Sequence, residues 1–239
     1  MPLKGLTWAR FKEHLRKSAA IYIVGIIVCV VLSNILYTST RPQVPAEREV
    51  LIYLVNGYSN PDPLNDLCAQ ALTAMQAEDE TLEEVHVESL MYTDPSQDYT
   101  SSYVLMTRMS VGDGDIYLTN RLGLEAMFNS GACYPLDELI GSGWMEGVDF
   151  EPYYHTDTEV DETTMELVEI PGAEPYVAAL DLSSFTGLAD LGVMESDGLY
   201  LVVASNGTNK ETSVETIEYM LRQIAEGNYA PAASTEPEA

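Results

Sequence analysis

VLIYLVNGYSNPDPLNDLCAQALTAM, residues 50–75, is the stretch that decides the fold. VLIYLV (50–55) is apolar without alternation, the pattern of a strand buried on both faces, as in parallel sheets. NGYSN (56–60) then reads as a turn, and Asp62-Pro63 as an N-cap followed by proline at the first helical position. Leu64, Leu67, Cys68, Ala71, Leu72 and Met75 recur at i, i+3, i+4, i+7, i+8 and i+11, one face of an α-helix.

The same rhythm continues downstream. EVHVESL (84–90) alternates and suits a sheet edge, a helix is expected from about Tyr99 to Met109, and DIYLT (115–119) is a third strand. Leu122, Leu124, Met127 and Phe128 predict a short helix stopped by Gly131. The order β-α-β-α-β-α with crossovers of about 25–30 residues predicts right-handed βαβ units and a parallel sheet covered by helices. Residues 141–174 break the pattern: GSGW and the acidic TDTEVDETTMELVEI (156–170) read as an irregular excursion with one hairpin. YVAALDL (176–182) and LYLVVAS (199–205) restore the strands. Thr212 and Glu215 read as a capping box, and Val214, Ile217, Met220, Leu221 and Ile224 as a last amphipathic helix ending near Gly227. NYAPAASTEPEA (228–239) reads as a disordered tail. The expectation is therefore an α/β fold: a single three-layer domain over 50–227, with a mainly parallel sheet of about five strands and VLIYLV at its centre.

Upstream, Ala19–Tyr37 reads AAIYIVGIIVCVVLSNILY, without a charge. At about 1.5 Å per residue it spans roughly 28 Å, close to the ~30 Å hydrocarbon core of a bilayer. Residues 1–17 hold Lys4, Arg10, Lys12, Arg16 and Lys17 against Glu13 alone. The expectation is a basic segment over 1–18, a transmembrane helix over 19–37 and a linker over 38–49. The N-terminus is then cytoplasmic and the main domain extracytoplasmic. Trp8, Phe11 and Leu15 share one helical face, as in an interfacial helix. A cleaved signal peptide is the rival reading, but the apolar run is long and Thr38-Ser39-Thr40 before Arg41 is a poor cleavage site.

Beyond residue 17, six basic residues face 37 acids, a charge of −31. That balance excludes phosphate-neutralising contacts with nucleic acid. Among the three histidines, His14, His86 and His155, no HExxH or clustered triad occurs, so no metal or other cofactor is expected. Asp113-Gly114-Asp115 lacks the spaced acids of a calcium loop. No P-loop, GxGxxG or GxSxG is present, and Asn206-Gly207-Thr208 reads as a turn. Cys29 reads as a small apolar residue facing lipid. Cys68 and Cys133 read as buried thiols, with a bridge between them left open.

VGDGDIYLTNRLGLEAMFNSGACYPLDELI (111–140) resembles the first lobe of extracellular solute-binding proteins, the receptors of ABC importers, through Gly112, Asp113, Asp115, Gly131, Pro135, Leu136 and Asp137. AALDLSSFTGL and DGLYLVVASNGTNKETSVETIEYML are similar to the strand re-entering that lobe and its later helix. The likeness covers roughly 50–140 and 175–226, with 141–174 standing where a second lobe would be.

In open parallel sheets ligands bind beyond the carboxyl ends of strands. The loops expected there are 56–60, 119–121 and 205–209, and the candidate ligand- or partner-binding residues are Tyr58, Ser59, Asn120 and Arg121. The functional expectation is a membrane-anchored, non-catalytic binding or interaction module. Its partners would be the membrane, through the single span, and a membrane or cell-surface protein, with small molecules bound weakly. The alternatives are the solute receptor of an ABC importer and a cell-surface hydrolase.

Overall fold

The structure is a computed structural model that describes residues 8–40, 44–93, 96, 98–160 and 167–229. The chain divides into two compact units, Met1–Gln43 and Val44–Ala239. In the first, α1 runs unbroken from Trp8 to Thr40. Among the described residues no helix is long and apolar enough to cross a membrane. The side chains of α1 are described over 21–37, 17 residues against the roughly 20 that a span needs. The basic segment over 1–18 and its Trp8, Phe11 and Leu15 face lie outside the described side chains.

The second unit begins with β1 (Glu49–Asn56), whose six inner residues are all buried. A 3-10 turn over Asp62–Leu64 leads into α2 (Asn65–Met75). The expected Asp62 cap is not formed; Asn60 Oδ1 instead accepts the Asp62 N–H at 3.2 Å. β2 (Glu84–Met91), α3 (Tyr99–Val111), β3 (Ile116–Thr119) and α4 (Arg121–Asn129) follow in the expected order. α5 (Asp137–Gly141), β4 (Glu151–His155), β5 (Thr158–Val160), β6 (Leu167–Glu169), β7 (Tyr176–Asp181), α6 (Gly187–Asp190), β8 (Tyr200–Val203) and α7 (Lys210–Ala225) complete the chain.

The fold is α/β, but the sheet is mixed and has six strands in the order β2-β1-β3-β8-β7-β4. β1 is parallel to β2 over eight residue pairs, and to β3 from Ile52↔Ile116 to Val55↔Thr119. The pairings β3–β8, β8–β7 and β7–β4 are all antiparallel. This corrects the expected mainly parallel sheet of about five strands. Between β7 and β8 the only helix is the four-residue α6, so no crossover helix carries the chain back to run parallel. β1 accordingly lies second from one edge and β2 at that edge.

Alternation along the strands divides the core between two faces. Val50, Ile52, Leu54, Ile116, Leu118, Leu201 and Val203 belong to one cluster with Leu67 and Ala71 of α2 and with Val214, Ile217 and Leu221 of α7. Leu51, Tyr53, Val55, Tyr117 and Val202 belong to the other, with Leu105 and Met109 of α3 and Leu124 and Met127 of α4. Cys68 lies in the first cluster and Cys133 in the second, both as free thiols. Burial pushes these thiols up, to about 11 for Cys68 and about 12 for Cys133, so neither is a ready nucleophile.

Three further expectations change. The excursion over 141–174 is in part core: Trp144, Met145 and Val148 are buried in the first cluster, and β4 joins the main sheet. GSGW reads as loop because of its glycines, yet Gly143 and Gly147, both at positive φ, make the turns that carry Trp144 and Met145 inward. The hairpin expected there is β5–β6. No capping box forms at Thr212, because α7 already begins at Lys210 and the Thr212 carbonyl accepts the Thr216 hydroxyl at 2.6 Å. At the far end Tyr229 is buried and donates to the Pro63 carbonyl, so the fold extends past Gly227. Of the tail expected over 228–239, residues 230–239 lie outside the described residues.

Candidate functional site

β1 is where the strand order reverses, since the chain passes from β1 outward to β2 and then back across to β3. In open α/β sheets that switch point, at the carboxyl ends of the strands, is where ligands bind. A set of side-chain hydrogen bonds ties the loops that leave β1 and β3 together. Asn56 Oδ1 accepts the Gly57 N–H at 2.7 Å and the Asn120 amide Nδ2 at 3.1 Å. Asn120 Oδ1 accepts the Gly123 N–H at 3.0 Å and so caps α4. Gly123 is required here, because a Cβ would lie 2.1 Å from Thr119 Oγ1 and 3.3 Å from Val55 Cγ1.

The four candidate residues separate by role. Asn120 is half-buried and holds the β1 and β3 loops together. Ser59 ties the β1 loop to β2 through a hydroxyl contact with Ser89 at 2.7 Å, and donates to the Leu54 carbonyl at 3.4 Å. Tyr58 stands 77% exposed beside this bonded frame. Arg121 turns instead toward β4: its guanidinium lies 5.3 Å from the centre of the Tyr153 ring, and its Nε donates to Glu125 Oε1 at 3.0 Å. The hydrogen bond to Glu125, with a further one to Tyr200, holds the guanidinium even more firmly charged than usual.

The third expected loop, 205–209, lies elsewhere. Because β8 runs antiparallel to β3, its carboxyl end faces the amino end of β3. There Asn209 N–H donates to Asp115 Oδ1 at 2.9 Å, and Asn206 Nδ2 to the Met109 carbonyl at 2.6 Å. The Gly112–Asp115 motif meets it as structure. Gly112 (φ +69°) closes α3, and Gly114 (φ +97°) leaves room for the Tyr53 ring, which a Cβ would approach to 2.5 Å. Arg108 pairs with Asp113, and burial raises the carboxyl pKa of Asp115. In the Pro-Leu-Asp turn, Asp137 Oδ2 accepts the Val177 N–H at 3.1 Å, pinning the turn to β7.

One constellation was missed at the sequence level. Tyr200, Tyr153, Phe128, His155 and Tyr176 form a continuous aromatic ladder. Successive centroid distances are 5.4, 5.8, 4.1 and 6.0 Å. Arg121 covers one end, and Tyr176 Oη donates to Asp157 Oδ1 at 3.1 Å at the other. Burial holds the His155 imidazole below its ordinary pKa, which keeps it neutral against Phe128. The signal was the EPYYH segment, hidden by its proline and its place in a stretch read as irregular.

Among the described residues no group of three or more His, Cys, Asp or Glu is placed to hold a metal ion. Comparison with family models, with curated proteins and with solved structures finds no match for this chain.

Proposed function

We propose that the protein is a membrane-anchored, non-catalytic interaction module, similar to one lobe of a solute-binding protein, that docks a protein partner on the carboxyl edge of β1 and β3. The observation that carries this reading is the Asn120–Asn56 hydrogen bond between the two loops, with Tyr58 exposed beside it. A preformed, hydrogen-bonded loop frame presenting one large aromatic is how a binding anchor is organised. The ledge has one wall. A small solute on it would keep much of its surface in water, far from the 70–90% burial of enclosed pockets, so solutes bind at roughly 0.1 mM or more weakly. A protein partner brings the second wall itself.

The anchor rests on α1. Its helix continues unbroken to both sides of 21–37, and those 17 side chains are all uncharged and exposed. The basic residues precede this run, which orients the N-terminus inward and the unit from Val44 outward.

A photo-crosslinking side chain at position 58 of the full-length chain in membranes tests the ledge. The expected outcome is one discrete protein adduct from position 58 and none from position 154, where Tyr154 is 62% exposed on β4. Equal labelling from both positions contradicts the assignment. Protease added to intact cells should leave a small membrane fragment, whereas a soluble mature chain starting near residue 39 overturns the anchor.

A further inference from the structure

A second recognition surface lies on the face covered by α7 and shares no residue with the Tyr58 ledge. Between α7 and the segment leading into and out of α5 is a cleft of about 360 Å³, open on one side. One wall is aromatic and aliphatic: Tyr134, Leu139 and Trp144, with Val214 beside them. Trp144 is buried and its indole N–H donates to the Val214 carbonyl at 3.0 Å, so this wall is held rigidly. The other wall is acidic. Glu211, Glu215 and Glu218 follow at i, i+4 and i+7 on one face of the helix.

The charges in the cleft do not balance. Glu218 is paired with Arg222. Glu211 and Glu215 are left with Lys210, whose ammonium is already engaged by the Ser205 carbonyl at 2.8 Å. Burial first, and then the charges of Glu78, Glu211 and Glu218, raise the carboxyl pKa of Glu215. Lys210 also shows what the opposite wall accepts. Its Nζ sits 4.4 Å from the centre of the Tyr134 ring, an alkylammonium on an aromatic face supplied from within the chain.

We propose that this cleft docks a lysine-bearing segment of a protein partner. An aliphatic stem lies along Leu139 and Trp144 and its ammonium sits between Glu211 and Glu215. Two observations favour a polypeptide over a free amine. The cleft is near the lower limit of small-molecule sites and open on one side, so a free amine would be half solvated. The surrounding surface belongs to a region with 37 acids and six bases, which steers and holds an extended basic chain better than a single small cation.

The test uses the full chain in detergent micelles with Trp8→Phe, which leaves Trp144 as the sole tryptophan and its emission as a reporter inside the cleft. The probe is a synthetic peptide of alternating lysine and serine, compared with spermidine and with an alternating glutamate–serine peptide. The expected result is a saturable change with the lysine peptide alone, weakened about tenfold or more by Glu211→Gln with Glu215→Gln. Glu80→Gln with Glu195→Gln, which removes the same charge from exposed positions elsewhere, should leave the affinity within about twofold, as should Tyr58→Ala. Equal weakening by both charge pairs means diffuse attraction and overturns the proposal. So does spermidine binding as tightly as the peptide, or a Trp144 signal that does not saturate.

Discussion

The two halves of the sheet were built under different rules. β2, β1 and β3 are parallel, linked by α2 and α3, and meet at the loop frame of Asn56 and Asn120. β8, β7 and β4 are antiparallel, with α6 and the β5–β6 hairpin between them and the aromatic ladder running across them to α4. A parallel pair needs a crossover helix, and such a helix declares itself in sequence through its 3.6-residue period. An antiparallel neighbour needs only turns, which carry no such period. The first half was therefore legible strand by strand; in the second, β7 and β8 were legible as strands without direction, and β4 was not legible at all.

The largest expected effect tests which half holds the core. Ile52→Asp places an unpaired charge where β1 is 1% exposed and should abolish folding, at a cost of several kcal/mol. Tyr154→Asp on β4, at a 62% exposed position, should change stability by no more than about 0.5 kcal/mol in urea denaturation. Comparable losses at the two positions would break the comparison.

Next in size is Gly123→Ala, which drives a Cβ against Thr119 and Val55 in the parallel half. Overpacking of that kind should cost about 3 kcal/mol. Phe128→Ala should cost about 2 kcal/mol, because Phe128 is half-buried between Tyr153 and His155. That variant separates the halves: it should raise hydrogen exchange in β4 and leave β1 and β2 protected.

How much of the candidate site was legible follows the same division. The placement of Tyr58, Ser59 and Asn120 beyond the carboxyl ends of β1 and β3 was legible because the βαβ spacing sets the direction of those strands. The place of Arg121 at the start of α4 was legible, but its engagement with Tyr153 was not, since that requires knowing that β4 exists. The loop 205–209 was assigned to the wrong edge because LYLVVAS is apolar on both faces, and such a run shows burial without direction. Trp144 and the acidic face of α7 escaped for a different reason. Gly143 and Gly147 read as irregular chain, and only their turns bring Trp144 against Val214.

The smallest effect is a pH slope at the amino end of β3. Burial raises the folded-state pKa of Asp115, so above the ordinary carboxylate pKa of about 4 the folded chain retains a proton that the unfolded chain has lost. Stability contributed through this group therefore falls as pH rises across that window. Asp115→Asn keeps an acceptor for the Asn209 N–H and removes the proton. The difference between wild type and variant, measured by urea denaturation at pH 4.5 and pH 7, should show the wild type losing stability relative to the variant as pH rises.

Calorimetry of the full chain in lipid nanodiscs with sugars, amino acids and short uncharged peptides, for wild type and Tyr58→Ala, tests the one-walled ledge most directly. The account predicts no solute binding tighter than roughly 0.1 mM and no difference between the two chains. Micromolar binding of any of these solutes, weakened by Tyr58→Ala, would contradict it and make the ledge a solute receptor.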